Sequence, residues 1–177
     1  EGHTLLTIGA SDAHLKTWQW SEGKWKGKSH WKPSFGGKWD RLRDFEFGDV
    51  DHDGTNELII ATHDQGVIAV AEEINGEFKA TEIYRKADTF IHEIEVGDTN
   101  GDKKLEFFAT PSAPNRADFS QGGGVIMFQF ANGKYSAQQV VRFPHRHAKE
   151  ILVADMNQDG VHELYVSLEA ESKKVNG

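Results

Sequence analysis

"GDVDHDGTNEL", residues 48–58, places carboxylates at Asp49, Asp51, Asp53 and Glu57 and then turns apolar at Leu58, Ile59 and Ile60. Carboxylates this close repel one another unless a cation offsets them. The pattern recurs as "GDTNGDKKLEF" at 97–107 and "ADMNQDGVHEL" at 154–164. Aligned on the first acid, the second copy reads Asp98, Asn100, Asp102 and Glu106, and the third Asp155, Asn157, Asp159 and Glu163. Side-chain oxygens therefore fall at positions 1, 3, 5 and 9 in every copy.

Alternate side chains of a tight loop point to one centre, and Ca²⁺ takes about six to eight oxygen ligands. A backbone carbonyl at position 7 extends such a set, which adds Thr55, Lys104 and Val161 to the candidates. An EF-hand would place its last glutamate at position 12, but Ile60, Ala109 and Val166 stand there, each inside an apolar run. The spacing thus predicts three strand–loop–strand calcium sites, with Mg²⁺ disfavoured in so dense a protein cage. Asp, Asn and Gly also build turns that hold no metal. Plain turns do not account for an acid held at the ninth position three times. With four carboxylates against three and an Asn in the others, the first loop is expected to bind tightest.

The flanks repeat as well. Arg43-Asp44, His92-Glu93 and Lys149-Glu150 precede the alternating runs "FEFGD", "IEVGD" and "ILVAD", and a second apolar run follows each loop. Residues 66–83 and 124–140 each read as a hairpin turning at Asn-Gly, and 5–27 as a strand, a loop and a hairpin turning at Glu22-Gly23. The unit is four short antiparallel strands in about 50 residues, the size of a β-propeller blade. Counted this way, residues 1–38 supply the last three strands of one blade, 39–85 and 86–142 two whole blades, and 143–177 the start of another. The expected fold is all-β, covering about 3.5 blades of a larger ring, since rings need at least about four.

On these residues the sequence resembles the FG-GAP or VCBS repeat family of calcium-binding propellers, which includes the heads of integrin α-chains. Phe47-Gly48 stands where the family has Phe-Gly, whereas "ATHDQG" (61–66) and "ATPSAP" (109–114) replace its Gly-Ala-Pro. The resemblance implies a first strand that is innermost in each blade, structural calcium on the face opposite the usual ligand face, and seven or eight blades in all. It also implies an extracellular, cell-surface or periplasmic location.

The chain has 177 residues, 37% of them apolar, a mean hydropathy of −0.60 and no run long enough to span a membrane. It has no cysteine, so disulfides and thiolate metal sites are excluded. The N-terminus lacks a signal peptide, which is expected to be absent or already removed. The formal charge of −8 argues against nucleic-acid binding, which needs clustered Lys and Arg. Ten of the 28 acids stand in the three loops, so most of this charge is ligand charge.

The rim opposite the loops is the expected ligand face, because loops on a rigid scaffold carry most recognition. Its candidates are Arg43, Asp44, His63, His92, Glu93, Arg116, His145, His147, Lys149 and Glu150. The basic–acidic pairs serve equally well as ion pairs between neighbouring strands. The five tryptophans, from Trp18 to Trp39, suit packing between blades or stacking on sugar rings. No G-x-S-x-G, HExxH or phosphate-cradling loop before a helix occurs, so catalysis has no motif behind it. The sequence therefore points to a calcium-stabilised module that binds protein or glycan through its rim loops. The alternatives are a calcium-dependent polysaccharide lyase or hydrolase using His92-Glu93 or His147 with Lys149, and a structural spacer of an adhesin or surface filament. The remaining blades, in the parent chain or another, are the other expected partners.

Overall fold

The computed structural model describes residues 4–9, 14–37, 40–115 and 121–169, and Trp39 and Arg116 lie outside them. Thirteen strands and no helix make up the described residues, so the chain is all-β, as expected. In chain order they are β1 (Thr4–Thr7), β2 (Leu15–Ser21), β3 (Lys24–Trp31), β4 (Leu42–Gly48), β5 (Glu57–Thr62), β6 (Val67–Ile74), β7 (Glu77–Arg85), β8 (Phe90–Gly97), β9 (Glu106–Ser112), β10 (Gly123–Ala131), β11 (Lys134–Phe143), β12 (Ala148–Ala154) and β13 (Glu163–Leu168). They form four sheets of consecutive antiparallel strands: β1–β3, β4–β7, β8–β11 and β12–β13.

Local chemistry fixes the hairpins. Glu22-Gly23, Asn75-Gly76 and Asn132-Gly133 all have positive φ at both central residues, the two-residue turn whose twist matches that of its strands. Period-two patterning then sets which side chains face which neighbour. In β5 and β6, Leu58, Ile60, Val67, Ala69 and Ala71 pack with Leu15 and the partly buried Leu6 and Trp31 of the first sheet. Ile59, Ala61, Ile68 and Val70, one residue out of phase, pack on Ile91, Ile94, Phe107, Ala109, Ile126 and Phe128 of the third. Phe108 and Val125 face the other way, onto Ile151 and Val153 of β12 and Leu164 and Val166 of β13.

The two four-stranded sheets are therefore covered on both faces, and their second strands, β5 and β9, are buried along their whole length, with Glu57, Thr62, Glu106, Thr110 and Ser112 among the apolar residues. At the far side of the last sheet, Leu152 and Tyr165 pair directly across β12 and β13 and remain 46% and 44% exposed.

The first strands β4, β8 and β12 lie side by side. Arg43 Nε donates to the His92 carbonyl at 3.2 Å, and the Ile94 N–H donates to Asp44 at 2.7 Å. Each of these strands has a register irregularity against its partner at the basic–acidic pair: between Leu42 and Asp44, between Ile91 and Ile94, and between Ala148 and Glu150. A bulge re-aims the side chains beside it. The pairs sit at one level of the stack, while the acidic loops leave the opposite ends of the same strands.

Candidate functional site

Each acidic loop joins the first strand of a sheet to the second, and the same bonds recur in all three. The N–H at position 2 donates to the position 9 glutamate at 3.0 Å: Val50 to Glu57, Thr99 to Glu106, Met156 to Glu163. The N–H at position 6 donates to the first aspartate: Gly54 to Asp49, Lys103 to Asp98, Gly160 to Asp155. The position 7 N–H of Thr55, Lys104 and Val161 donates to Asp53, Asp102 and Asp159. Positions 4 and 6 have positive φ in every loop, between 63° and 95°, on His52 and Gly54, Gly101 and Lys103, and Gln158 and Gly160. The chain thereby curls its side-chain oxygens inward.

The loops differ in how far those oxygens converge. Asp49, Asp51, Asp53 and Glu57 bring one carboxylate oxygen each within 4.8 Å of all the others, as do Asp155, Asp159 and Glu163. Asp98, Asp102 and Glu106 form no such group among the described residues. There, Asn100 Nδ2 donates to Glu106 Oε1 at 2.5 Å, and its Oδ1 accepts the Asp102 N–H. In the third loop Asn157 Nδ2 donates to both Asp159 and Glu163. In the first loop position 3 is itself an acid, Asp51, and Asp49 Oδ1 is buried without a hydrogen-bond partner. A buried carboxylate oxygen left so is unfavourable. The donor set, all oxygen and mostly anionic, suits a hard cation. Burial, reinforced by Asp51 and Asp53, raises the pKa of Glu57. At Asp98, burial works in the same direction but is outweighed by the N–H groups of Lys103, Gly101, Asn100 and Asp102, so its carboxyl titrates low.

The loops also stand at seams between sheets. The His162 N–H in the third loop donates to the Asp98 carbonyl in the second at 2.9 Å. A Cβ added at Gly97 would overlap Val153 and His162, and one at Gly48 would lie 3.0 Å from Leu105. Glycine before the first aspartate therefore lets the next sheet approach.

At the bulged end, the first strands carry a strip of acids. Asp44 and Glu46 of β4, Glu93 and Glu95 of β8 and Glu150 of β12 act on one another. Burial, then Glu95 and Asp44, push Glu46 up to about 7. Burial, then Asp44 and Glu150, push Glu93 to about 7 against the opposing Arg43. Beside the strip stand three histidines from three sheets. His63 stacks on Phe90 with ring centres 4.6 Å apart and lies 5.8 Å from His92, which lies 5.5 Å from His147. Burial, then Lys149, His147, His63 and Arg43, push His92 down to about 3. Arg43, Asp44, His63, His92, Glu93, His147, Lys149 and Glu150 thus share one region. His145 does not join them and lines a separate shallow recess with Phe143, Pro144 and Leu168.

A cleft of about 400 Å³ opens nearby, lined by Lys86, Thr89, Ser112, Gly123, Gln139 and Arg142 among others. Trp20 and Trp25 pair edge-to-face at 5.6 Å, about half exposed, while Trp18 donates to Thr7 and Trp31 packs on Phe78. Sequence reasoning placed Asp64 in a rim loop without a role and did not single out Glu46, Glu95 or Glu169. Glu46 and Glu95 were within its reach, because each stands two residues after a rim acid and so on the same strand face.

No protein-family model matches the chain, and no curated protein matches it. No helix long and apolar enough to cross a membrane occurs among the described residues.

Proposed function

We propose that this chain forms calcium-braced blades of a β-propeller and acts as a binding module for protein or glycan. The observation that carries the reading is the first acidic loop, where four converging carboxylates leave a buried Asp49 oxygen without a partner. Bound there, Ca²⁺ would offset the mutual repulsion of Asp49, Asp51, Asp53 and Glu57. Asp98, Asn100, Asp102 and Glu106 would hold a second ion, and Asp155, Asn157, Asp159 and Glu163 a third. Carbonyls of Thr55, Lys104 and Val161 are the position 7 ligands proposed for each. The metals brace and do not react, since each loop lies at the strand ends away from the histidines and the acid strip.

Ligand recognition is assigned to the bulged rim and the cleft beside it. The likeness to FG-GAP and VCBS propellers supports a secreted, cell-surface or periplasmic setting, where millimolar calcium suits such modules. The exposed Leu152–Tyr165 pair supports further blades of the same ring as the partner of the last sheet. Screening the calcium-loaded protein against glycan and protein arrays tests the reading. Binding that is lost in Lys149→Ala or Arg43→Ala supports it, and absence of any ligand contradicts it.

One observation favours an enzyme as the second reading. Glu46 and Glu93 are held near 7, where a carboxyl serves as a general acid at neutral pH. A calcium-dependent polysaccharide lyase or hydrolase would then use the acid strip. A turnover screen on acidic and neutral polysaccharides, with Glu93→Gln as the control, separates it from pure binding.

A further inference from the structure

The cleft beside the bulged rim lies between the second and third sheets. Its walls come from the connection between β7 and β8, which carries Lys86 and Asp88, from the end of β9 at Ser112, from the start of β10 at Gly123, and from Gln139 and Arg142 of β11. At about 400 Å³ it has the size of a small-molecule site, for which about 300–1,000 Å³ is usual.

Ser112 stands out against its counterpart in the second sheet. It pairs with Phe90, the opening residue of β8, as Thr62 pairs with Leu42, the opening residue of β4. The Val67 N–H donates to Thr62 Oγ1 at 3.0 Å, so that hydroxyl is used within its own connection. Ser112 is 2% exposed, and its Oγ has no hydrogen-bond partner. A buried hydroxyl left so is unfavourable, and alanine would fill the same space without that cost. A Cβ built on Gly123 would lie 2.6 Å from this oxygen, so glycine leaves the hydroxyl covered by bare backbone alone. Gln139 Nε2 donates to the Val125 and Val141 carbonyls, at 2.9 Å and 2.7 Å, which fixes one wall. Lys86 and Arg142 are exposed at the cleft and form no ion pair among the described residues, although the chain as a whole carries a charge of −8. Asp88 is the one acid among the described residues of the lining.

We propose that this cleft seats a uronate unit of an acidic polysaccharide, with Lys86 and Arg142 holding its carboxylate and Asp88 and Ser112 meeting its hydroxyls. The inference rests on the binding-module reading and narrows it to a ligand class and a place. A guanidinium matches a carboxylate through parallel N–H donors, and a second cation beside it strengthens the hold. A sugar hydroxyl donates to Asp88, and another accepts from the Ser112 hydroxyl, which gains the partner it lacks. The acidic side chain of a peptide would satisfy the two cations but brings no hydroxyl for Asp88 or Ser112.

The test is titration calorimetry of the calcium-loaded full chain with a glucuronate-containing oligosaccharide and with its carboxyl-reduced neutral counterpart, together with amide NMR shift mapping. The acidic form should bind about 10-fold tighter than the neutral one or better, with shifts centred on Lys86, Ser112, Gly123 and Arg142. Arg142→Gln and Lys86→Gln should each weaken binding about 10-fold, the scale of one lost charged hydrogen bond. Both side chains are exposed, so neither change should move the Tm. Ser112→Ala should weaken binding about 5-fold and leave the ligand-free Tm equal or higher, which a merely structural serine would not do. Absence of binding, equal affinity for the neutral oligosaccharide or for a polyglutamate peptide, or unchanged affinity in Arg142→Gln would overturn the inference. Binding that responds to Arg43→Ala or Lys149→Ala but to neither Lys86→Gln nor Arg142→Gln would also overturn it, while leaving the binding-module reading intact.

Discussion

The loops at 48–57 and 97–106 follow the same backbone path and make the same N–H bonds, yet only the first gathers all of its acids to one centre. Position 3 is one part of the difference and not the whole of it, since the third loop keeps its acids together with Asn157 in that place. Where the first loop has Asp51, the second has Asn100, whose amide donates to Glu106 and supplies from within the chain part of what a cation would supply from outside. On the proposed reading, a carboxylate at position 3 would make the loop more dependent on metal, and an amide less so.

The largest effect is expected at the seam that the second loop shares with the third. Gly97→Val forces its branches into Val153 and His162 and should cost about 3 kcal/mol in urea unfolding with or without calcium. Next in size, Asp49→Ala should remove the tightest step from a calcium titration, a loss on the order of 100-fold in affinity, whereas Asp98→Ala should leave that step intact. The converse change, Asn100→Asp, should raise the affinity of the second loop about 10-fold. It should also lower calcium-free stability by about 1 kcal/mol, through the lost amide bond and the added repulsion.

A smaller effect is expected from pH. Glu93 and Glu46 have folded-state pKa values raised to about 7. Their stabilising contribution is thus complete below the ordinary glutamate value and is lost as pH rises through about 7. His92, lowered to about 3, works oppositely: its contribution is present above the ordinary histidine value and fades as pH falls. Comparing Glu93→Gln with the parent protein, calcium-free, from pH 4.5 to 7.5 isolates the carboxyl. The variant should gain on the order of 1 kcal/mol relative to the parent at the upper end, after allowance for solvent screening.

Much of this was legible because the decisive signals are local. Asn75-Gly76 and Asn132-Gly133 demand one turn type, and alternation through Leu58, Ile59 and Ile60 tells a strand buried on both faces. Oxygens at 49, 51, 53 and 57 name a loop. The row of rings in which His92 touches His63 and His147 was legible only as membership of one rim, since 29 and then 55 residues separate them and only the stacking of sheets brings neighbouring rings together. The contacts of Asp64 with His63 and of Glu169 with His147 were not legible, because a carboxylate beside a histidine has no fixed direction until the backbone is placed, and 22 residues separate Glu169 from His147. The contrast between the first two loops was half visible. Charge counting ranked them, but the turn of the Asn100 amide toward Glu106 belongs to the folded loop.

The central claim is that calcium offsets the repulsion in these loops and so holds the sheets together. Thermal unfolding of the protein in 2 mM Ca²⁺ and in excess EDTA tests it most directly. A ligand at about 100 times its dissociation constant stabilises by about 2.7 kcal/mol per site, so chelation should lower the Tm by about 10 °C or more. An identical Tm in calcium and in EDTA would contradict the account.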